Sequence, residues 1–114
     1  MFKRLFDTQS SIPSISVREA WERVTAPTST AMIVDVREPW EFQQGHARGA
    51  RNIPLSQFGR RFREVPTDRE VLLICRSGHR SLQAAKFLQQ QGWKQITNVS
   101  GGMMSWEMHR LPED

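Results

Sequence analysis

The hydrophobic positions of the chain fall into short runs that alternate with amphipathic segments. The runs at residues 31–36 and 71–74 are continuous and rich in aliphatic side chains, which is typical of strands buried on both faces of a sheet. Three shorter extended segments are predicted, at residues 12–15, 52–54 and 96–99. The first of them contains Pro13, so we expect it at an edge of the sheet.

Between these strands lie segments with helical spacing or helix-capping residues. In residues 17–24 apolar side chains recur at helical spacing, with Ser16 as the N-cap and Glu19 in the position that completes a capping box. Pro39 at a first helical turn and Gly45 beyond it delimit a short helix. The predicted helices are residues 17–24, 39–44, 56 to about 64 with Ser56 as its cap, 80–91 ended by Gly92 in a left-handed conformation, and a last one from Gly101-Gly102 to about residue 110.

Strands that alternate with helices at this spacing predict an α/β fold, in which helices cover both faces of a parallel sheet. The length of 114 residues suits a single domain spanning 1–114, with its core at about residues 12–110. A composition of 38% hydrophobic and 25% charged residues excludes a disordered chain. No apolar run approaches the roughly 20 residues that a membrane-spanning helix needs. We expect residues 1–6 to be a frayed terminus rather than a membrane or partner contact, and we expect no secretory signal and a cytoplasmic location.

The charge balance favours small anionic ligands. The net charge is +4, and lysine occurs only at Lys3, Lys86 and Lys94, so arginine supplies most of the excess. The planar guanidinium suits sulfur or phosphorus oxyanions, although any single arginine is more simply explained as part of a solvated surface. No basic helical stripe or aromatic ladder supports nucleic-acid binding, so we expect none.

The candidate chemistry centres on Cys75, the only cysteine of the chain, so no disulfide within the chain and no paired-cysteine redox site is expected. It ends the most hydrophobic strand and is followed by Arg76, Ser77, Gly78, His79, Arg80 and Ser81, which lead into a helix. Backbone amides in such a turn, together with the helix dipole, bind anions, and with the neighbouring arginines they favour the reactive thiolate. The alternative is that Cys75 simply ends a buried strand, but such a strand needs no following arginines, glycine and histidine.

The spacing Cys75 to Arg80 is Cys-x4-Arg, one residue shorter than the Cys-x5-Arg loop with which cysteine-dependent phosphatases hold phosphate. At these residues the chain resembles the rhodanese family, in particular its single-domain thiosulfate sulfurtransferases. The resemblance runs from Ile15 to about Arg110 and includes Asp35–Phe42, Gly45–Ala50, Asn52–Pro54, and Gly101-Gly102 with Trp106. Ala47 departs from the larger aliphatic residue usual there, which we expect to affect packing rather than chemistry.

The resemblance implies a sheet of about five parallel strands and a Cys75 that carries sulfur as a persulfide. It implies that amides from Arg76 through Arg80 stabilise the terminal sulfur and that Asp35, with Arg37 beside it, supports the loop. Arg76 and Arg80 either attract the anionic donor or brace the loop through an acidic residue. A small anionic sulfur donor such as thiosulfate is expected, with cyanide, a small thiol or a protein thiol as acceptor.

The remaining histidines and the tryptophans receive structural interpretations. His46 is expected to hydrogen-bond backbone, while His79 and His109 are expected at the surface, so neither a metal nor another cofactor is predicted. The four tryptophans, Trp21, Trp40, Trp93 and Trp106, are interpreted as core and capping aromatics. Two other functions stay open: a phosphatase or arsenate reductase of related fold, which the short loop and the missing second cysteine disfavour, and a noncatalytic interaction module, which the intact loop disfavours.

Overall fold

A computed structural model describes residues 11–114, so the expectation for residues 1–6 lies outside the described residues. Within them, five strands form one sheet, and every strand pair is parallel. The strands are β1 (Ser14–Ile15), β2 (Met32–Asp35), β3 (Arg51–Asn52), β4 (Val71–Ile74) and β5 (Ile96–Val99). Their order across the sheet is β1-β5-β4-β2-β3, which confirms the predicted α/β fold and places β1 at an edge.

Helices connect these strands at nearly the predicted positions. They are α1 (Val17–Thr25), α2 (Pro39–Gln43), α3 (Phe58–Arg61), α4 (His79–Gln90) and α5 (Gly102–Met108), with 3₁₀ turns at Leu55–Gln57 and Phe62–Glu64. The amide of Glu19 donates to the Ser16 hydroxyl at 3.1 Å, so Ser16 caps α1 as predicted. Across residues 11–114, none of the helices could span a lipid bilayer.

The prediction of one helix over residues 56–64 with Ser56 as its cap is wrong. This segment divides into a 3₁₀ turn, the four-residue α3 and a second 3₁₀ turn. Ser56 lies inside the first turn, and its hydroxyl donates to the Glu38 carboxylate at 2.8 Å. The N-cap positions of this first turn and of α3 are occupied by Pro54 and Gln57, so Ser56 caps neither element, and its hydroxyl makes a tertiary contact instead.

Two apolar clusters cover the two faces of the sheet. On one face, side chains of β2 and β4 pack against α4 and against Phe58, Phe62 and Val65. The other joins side chains of the opposite face with α1 and α5, including the fully buried Trp106. Helices on both faces were predicted, and this arrangement confirms them.

The tryptophans divide between these clusters and the surface. Trp106 is buried and packs edge-on against Trp21, with ring centroids 6.0 Å apart, and Trp93 packs against Phe62. The interpretation of Trp40 as a core or capping aromatic is wrong, because its side chain is 64% exposed. It lies on α2, a helix of five residues that buries none of its side chains.

The arrangement of β2 and β4 brings the predicted site residues to one edge of the sheet. Asp35 pairs in register with Ile74, and the Val36 amide donates to the Ile74 carbonyl at 2.9 Å. The carboxyl ends of these two central strands therefore meet where Cys75 begins the loop to α4. Ligands of open α/β sheets bind at this end of the strands.

Candidate active site

The loop from Cys75 to Arg80 turns sharply from β4 into α4. Gly78 makes this turn with φ of +103°, a left-handed conformation that side chains with a Cβ rarely adopt. A Cβ there would also lie 3.4 Å from the Gly101 amide nitrogen. The turn lets the loop fold back over the sulfur of Cys75.

Three donors converge on the Cys75 sulfur. The Gly78 amide nitrogen lies 3.1 Å from Sγ, the Ser81 amide nitrogen 3.3 Å and the Ser81 hydroxyl oxygen 3.3 Å. A thiolate accepts such hydrogen bonds well, whereas the sulfur of a thiol is only a weak acceptor. The loop therefore provides a site for negative charge at Sγ.

These donors decide the acidity of the thiol. Burial alone would raise the pKa of Cys75, but hydrogen bonds from the Ser81 hydroxyl and from the amides of Ser81, Gly78 and Ser77 outweigh burial and lower the pKa below its ordinary value. The hydrogen-bond donors of the loop are the main cause that favours the thiolate. The electrostatic interaction between Arg80 and Cys75 acts in the same direction, as expected from the sequence.

The carbonyl groups of the loop are bonded elsewhere. The carbonyl of Cys75 accepts from the Met103 amide at 2.8 Å, and that of Arg76 accepts from the Met104 amide at 3.0 Å. Both amides belong to the first turn of α5, where backbone donors have no partners within the helix. With its carbonyls turned toward α5, the loop leaves amides to face the sulfur.

Gly102 makes this contact between α5 and the loop feasible. A Cβ at this position would lie 2.4 Å from the Cys75 carbonyl oxygen and 2.5 Å from that of Arg76. No side chain fits at such distances without displacing backbone. Gly102, the second glycine of the pair noted in the sequence, is therefore required for the packing of α5 against the loop.

The two arginines of the loop have different surroundings. Arg80 forms a two-pronged ion pair with Glu41 of α2, with Nη1 to Oε1 at 2.7 Å and Nη2 to Oε2 at 2.9 Å. Hydrogen bonding from Arg80, against the opposing effect of burial, lowers the pKa of Glu41 to about 2. Arg76 is exposed, and within residues 11–114 no carboxylate lies within ion-pair distance of it.

Asp35 and Arg37 form a buried ion pair at the end of β2. Asp35 is fully buried and Arg37 is 4% exposed, and the guanidinium bonds both carboxylate oxygens at 2.9 to 3.1 Å. Arg37 also donates to the Gly45 carbonyl at 2.9 Å, and Asn52 donates to the backbone of both residues. Among the described contacts, their hydrogen bonds hold the chain that follows β2 and do not reach residues 75–81.

The histidines lie where expected. His46 stacks on Phe42, and its Nδ1 lies 2.8 Å from the Phe42 carbonyl oxygen, so it hydrogen-bonds backbone. His79 and His109 are exposed. Within residues 11–114 no three metal-binding side chains cluster.

The sequence interpretation missed two residues of the site. Asn98 of β5 lies with its Oδ1 2.6 Å from the Ser81 hydroxyl and is 5% exposed. Glu41 holds Arg80 from a helix 39 residues earlier in the chain. The one signal that points to Asn98 is a polar amide inside a predicted strand, a signal it shares with the neighbouring Thr97.

Cys75 itself is only 1% exposed and belongs to the apolar cluster that contains α4. The sequence suggests either an anion-binding loop around Cys75 or a residue that simply ends a buried strand, and each of these describes part of its position. It ends a buried strand, and its sulfur also faces three donors across the loop.

The chain is similar in sequence and in fold to known proteins. The model of the rhodanese-like domain family matches residues 16–109. A sulfurtransferase from Allochromatium vinosum is 39% identical over 82% of this chain and 88% of its own length, and the putative sulfur carrier protein YrkF from Bacillus subtilis is 38% identical over 88% of this chain and 54% of its own length. The crystal structure of a rhodanese-related protein from Thermoplasma volcanium superposes with a TM-score of 0.81 at 32% identity, covering 90% of this chain and 97% of that one. With most of its length matched by the family model and by these relatives, the chain belongs to the rhodanese-like domain family.

Proposed function

We propose that this protein is a sulfurtransferase that takes sulfane sulfur from thiosulfate or a similar donor and carries it as a persulfide on Cys75. The observation that carries the proposal is the set of three donors within 3.3 Å of Sγ. They favour the thiolate, which is the nucleophilic form of cysteine. The free thiol has to stay reduced, which suits the cytoplasm as the place of action.

The reaction needs no proton. The Cys75 thiolate attacks the outer sulfur of thiosulfate, so that an Sγ–S bond forms while the S–S bond of thiosulfate breaks and sulfite leaves with the electron pair. An acceptor such as cyanide or a thiolate then attacks the outer sulfur of the persulfide. That step breaks the Sγ–S bond and returns the cysteine as a thiolate. Because sulfite is a stable anion, no general acid is required.

The burial of Cys75 agrees with this chemistry. A persulfide places its terminal sulfur about 2 Å beyond Sγ, which brings it toward the loop between Arg76 and Arg80. The first amides of α4, those of His79 and Arg80, lack partners within the helix and remain able to donate to an anion. Arg76, exposed and without a carboxylate partner among the described residues, is available to attract the donor, while Arg80 braces the loop through Glu41.

Two exposed apolar side chains favour a protein thiol as the acceptor. Trp40 is 64% exposed and precedes Glu41, and Met104 is 49% exposed with its amide bonded to the Arg76 carbonyl. Each lies on a helix that contacts the loop, so an exposed apolar surface lies beside Cys75. A partner protein could bind this surface, whereas a small acceptor would not need it. A relative named as a putative sulfur carrier protein supports the same direction.

The test is incubation with thiosulfate followed by intact-mass measurement. We expect the wild-type protein to gain one sulfur atom, which cyanide then removes, and we expect Cys75→Ser to gain none. Because Cys75 is the only cysteine, any added sulfur is assigned to it without ambiguity. A thermal melt of Cys75→Ser establishes that the variant is folded.

Other outcomes favour the alternative functions. Turnover of phosphate esters without sulfur loading would favour the phosphatase, against which the six-residue loop argues. A folded protein that neither gains sulfur nor turns over esters would favour a noncatalytic interaction module.

A further inference from the structure

The Ser81 hydroxyl lies between two acceptors and can serve only one of them at a time. Its oxygen is 2.6 Å from Asn98 Oδ1 and 3.3 Å from Cys75 Sγ. A serine hydroxyl carries a single proton. Ser81 is fully buried and Asn98 is 5% exposed, so bulk solvent does not readily replace either partner.

The orientation of the Asn98 amide is fixed by the loop. Asn98 Nδ2 lies 3.3 Å from the Gly78 carbonyl oxygen, which can only accept. The amide nitrogen therefore faces Gly78, and Oδ1 faces Ser81. Since Oδ1 also can only accept, the short contact requires the Ser81 hydroxyl to donate to Asn98.

The charge on the sulfur determines where the Ser81 proton is needed. When Cys75 is a thiol, its S–H can donate to the Ser81 oxygen while Ser81 donates to Asn98, so each proton has an acceptor. A thiolate can only accept, and the Ser81 hydroxyl has to rotate its proton to Sγ to stabilise it. That rotation leaves Asn98 Oδ1 without its donor, so ionisation of Cys75 is coupled to the loss of the Ser81–Asn98 bond.

We infer that Asn98 is a positioning residue that competes with the Cys75 thiolate for the proton of Ser81. The inference rests on the proposed function, in which Cys75 is the reacting group. The thiolate is thereby stabilised less than three donors would allow and stays more nucleophilic. In the persulfide the charge moves to the outer sulfur, Sγ no longer needs the proton, and the Ser81–Asn98 bond forms again, which favours the loaded state.

The experiment is a double-mutant cycle on the acidity of Cys75, measured as the pH dependence of its alkylation by iodoacetamide. We expect Asn98→Leu to lower the thiol pKa by roughly 0.5 to 1, because the Ser81 proton is then committed to the sulfur. We expect Ser81→Ala to raise it, because a donor is lost. The double variant is expected to match Ser81→Ala, since Asn98 acts through Ser81.

These substitutions leave the ionisable side chains of the loop and of the neighbouring elements in place. Those groups are Arg76 and His79, Arg80 with Glu41 of α2, and Asp35 with Arg37 at the end of β2. A thermal melt checks that each variant is folded. Should Asn98→Leu fail to fold, Asn98→Ala provides the same comparison with the same expected sign.

Two results would overturn the inference. The first is a thiol pKa that rises or stays constant when Asn98 is replaced in the presence of Ser81. The second is an equal change when Asn98 is replaced in the Ser81→Ala background, which would mean that Asn98 acts through the Gly78 carbonyl and the shape of the loop. Alkylation does not require sulfur transfer, so the cycle can be interpreted even if thiosulfate fails to load Cys75.

Discussion

Arg80 illustrates, at the scale of one residue, how a charge close to the Cys75 sulfur can be paired with a distant carboxylate. Its guanidinium is within electrostatic reach of Cys75, yet both amino groups are bonded to Glu41. Glu41 in turn accepts from the Glu38 amide at 2.9 Å, which fixes the carboxylate to the first turn of α2. The pair therefore ties the loop to a neighbouring helix, and its strength depends on the ionisation of Glu41.

The pH dependence of stability tests this tie. The pKa of Glu41 is about 2 in the folded protein and about 4.5 when unfolded, so the ion pair stabilises fully above pH 4.5 and its contribution is lost as pH falls toward 2. Because a third of the Arg80 side chain is exposed, we discount this to about 1 to 2 kcal/mol. We expect Glu41→Gln to be less stable than wild type by that amount at pH 6 in urea unfolding, with the difference vanishing near pH 2.

Glu64→Gln is the matched control for this prediction. Glu64 also pairs with arginines, Arg51 and Arg61, but on an exposed part of the surface. We expect its replacement to change stability much less than that of Glu41 at pH 6. A difference between wild type and Glu41→Gln that is the same at pH 6 and pH 2 would contradict the role given to the ion pair.

At the scale of elements, the first turn of α5 shapes the loop as much as α4 does. Its amides hold the carbonyls of Cys75 and Arg76, and Gly102 brings the two backbones into contact. Gly102 also has φ of +53°, so a side chain there would be strained before it met the loop. The close packing of α5 against the loop therefore depends on the absence of a Cβ atom at residue 102.

Gly102→Ala tests this dependence. We expect a loss of about 3 kcal/mol or more in the free energy of unfolding, from left-handed strain plus displacement of the loop carbonyls. We also expect slower alkylation of Cys75, because the amides that face the sulfur move with the loop. Urea unfolding and the rate of iodoacetamide labelling measure the two effects.

Gly92→Ala separates strain from collision. Gly92 has φ of +105°, but a Cβ there would meet nothing within 4 Å. Its replacement is expected to lower stability by only about 1 to 2 kcal/mol and to leave Cys75 labelling unchanged. Equal effects of the two substitutions would show that the contact between α5 and the loop is unimportant.

Elements with strong local signals could be predicted from the sequence, and those that depend on distant contacts could not. The run at Val71–Ile74 is apolar throughout because β4 is central and buried on both faces. By contrast, Ser56 resembles a helix cap locally, yet it lies inside a 3₁₀ turn, and its hydroxyl bonds Glu38, which is distant in the sequence. Trp40 is apolar and looks like a core residue, yet the short α2 leaves it at the surface.

The residues of the candidate site also fall into those with local sequence signals and those that depend on distant contacts. The residues of the loop are consecutive in sequence, so Cys75 and its followers could be named in advance. Asn98 and Glu41 reach the loop from other elements, and no spacing in the chain relates them to it. The sequence also could not decide between binding and bracing for Arg80, because that depended on where Glu41 would lie.

At the scale of the whole molecule, the excess of arginine gives the protein a net charge of +4. Several arginines are paired with carboxylates, as Arg23 is with Glu19 and Glu70. Because their charges are balanced, these pairs contribute little to the electrostatic potential far from the protein. The exposed Arg76, next to Cys75 in the loop, has no such partner among the described residues. The field near the site is therefore expected to attract anions.

Ionic strength tests this attraction. We expect the rate at which thiosulfate loads sulfur on Cys75 to fall several-fold between about 20 mM and about 0.5 M salt, because screening shortens the reach of the positive charge. Alkylation by iodoacetamide, which is uncharged, is the control and should keep a constant rate. Stopped-flow or quenched mass measurements provide both rates, and an equal response of the two reagents to salt would contradict the steering of the anion.

The two outer strands of the described sheet, Ser14–Ile15 and Arg51–Asn52, are each two residues long. A foreign chain that extends a sheet must find a row of free backbone donors and acceptors along the outermost strand. Strands this short offer almost no such row, so the four-residue inner strands β4 and β2 are shielded from edge-to-edge pairing. The sheet that brings Cys75 and its loop to its middle is thereby also protected from β-type aggregation at its margins.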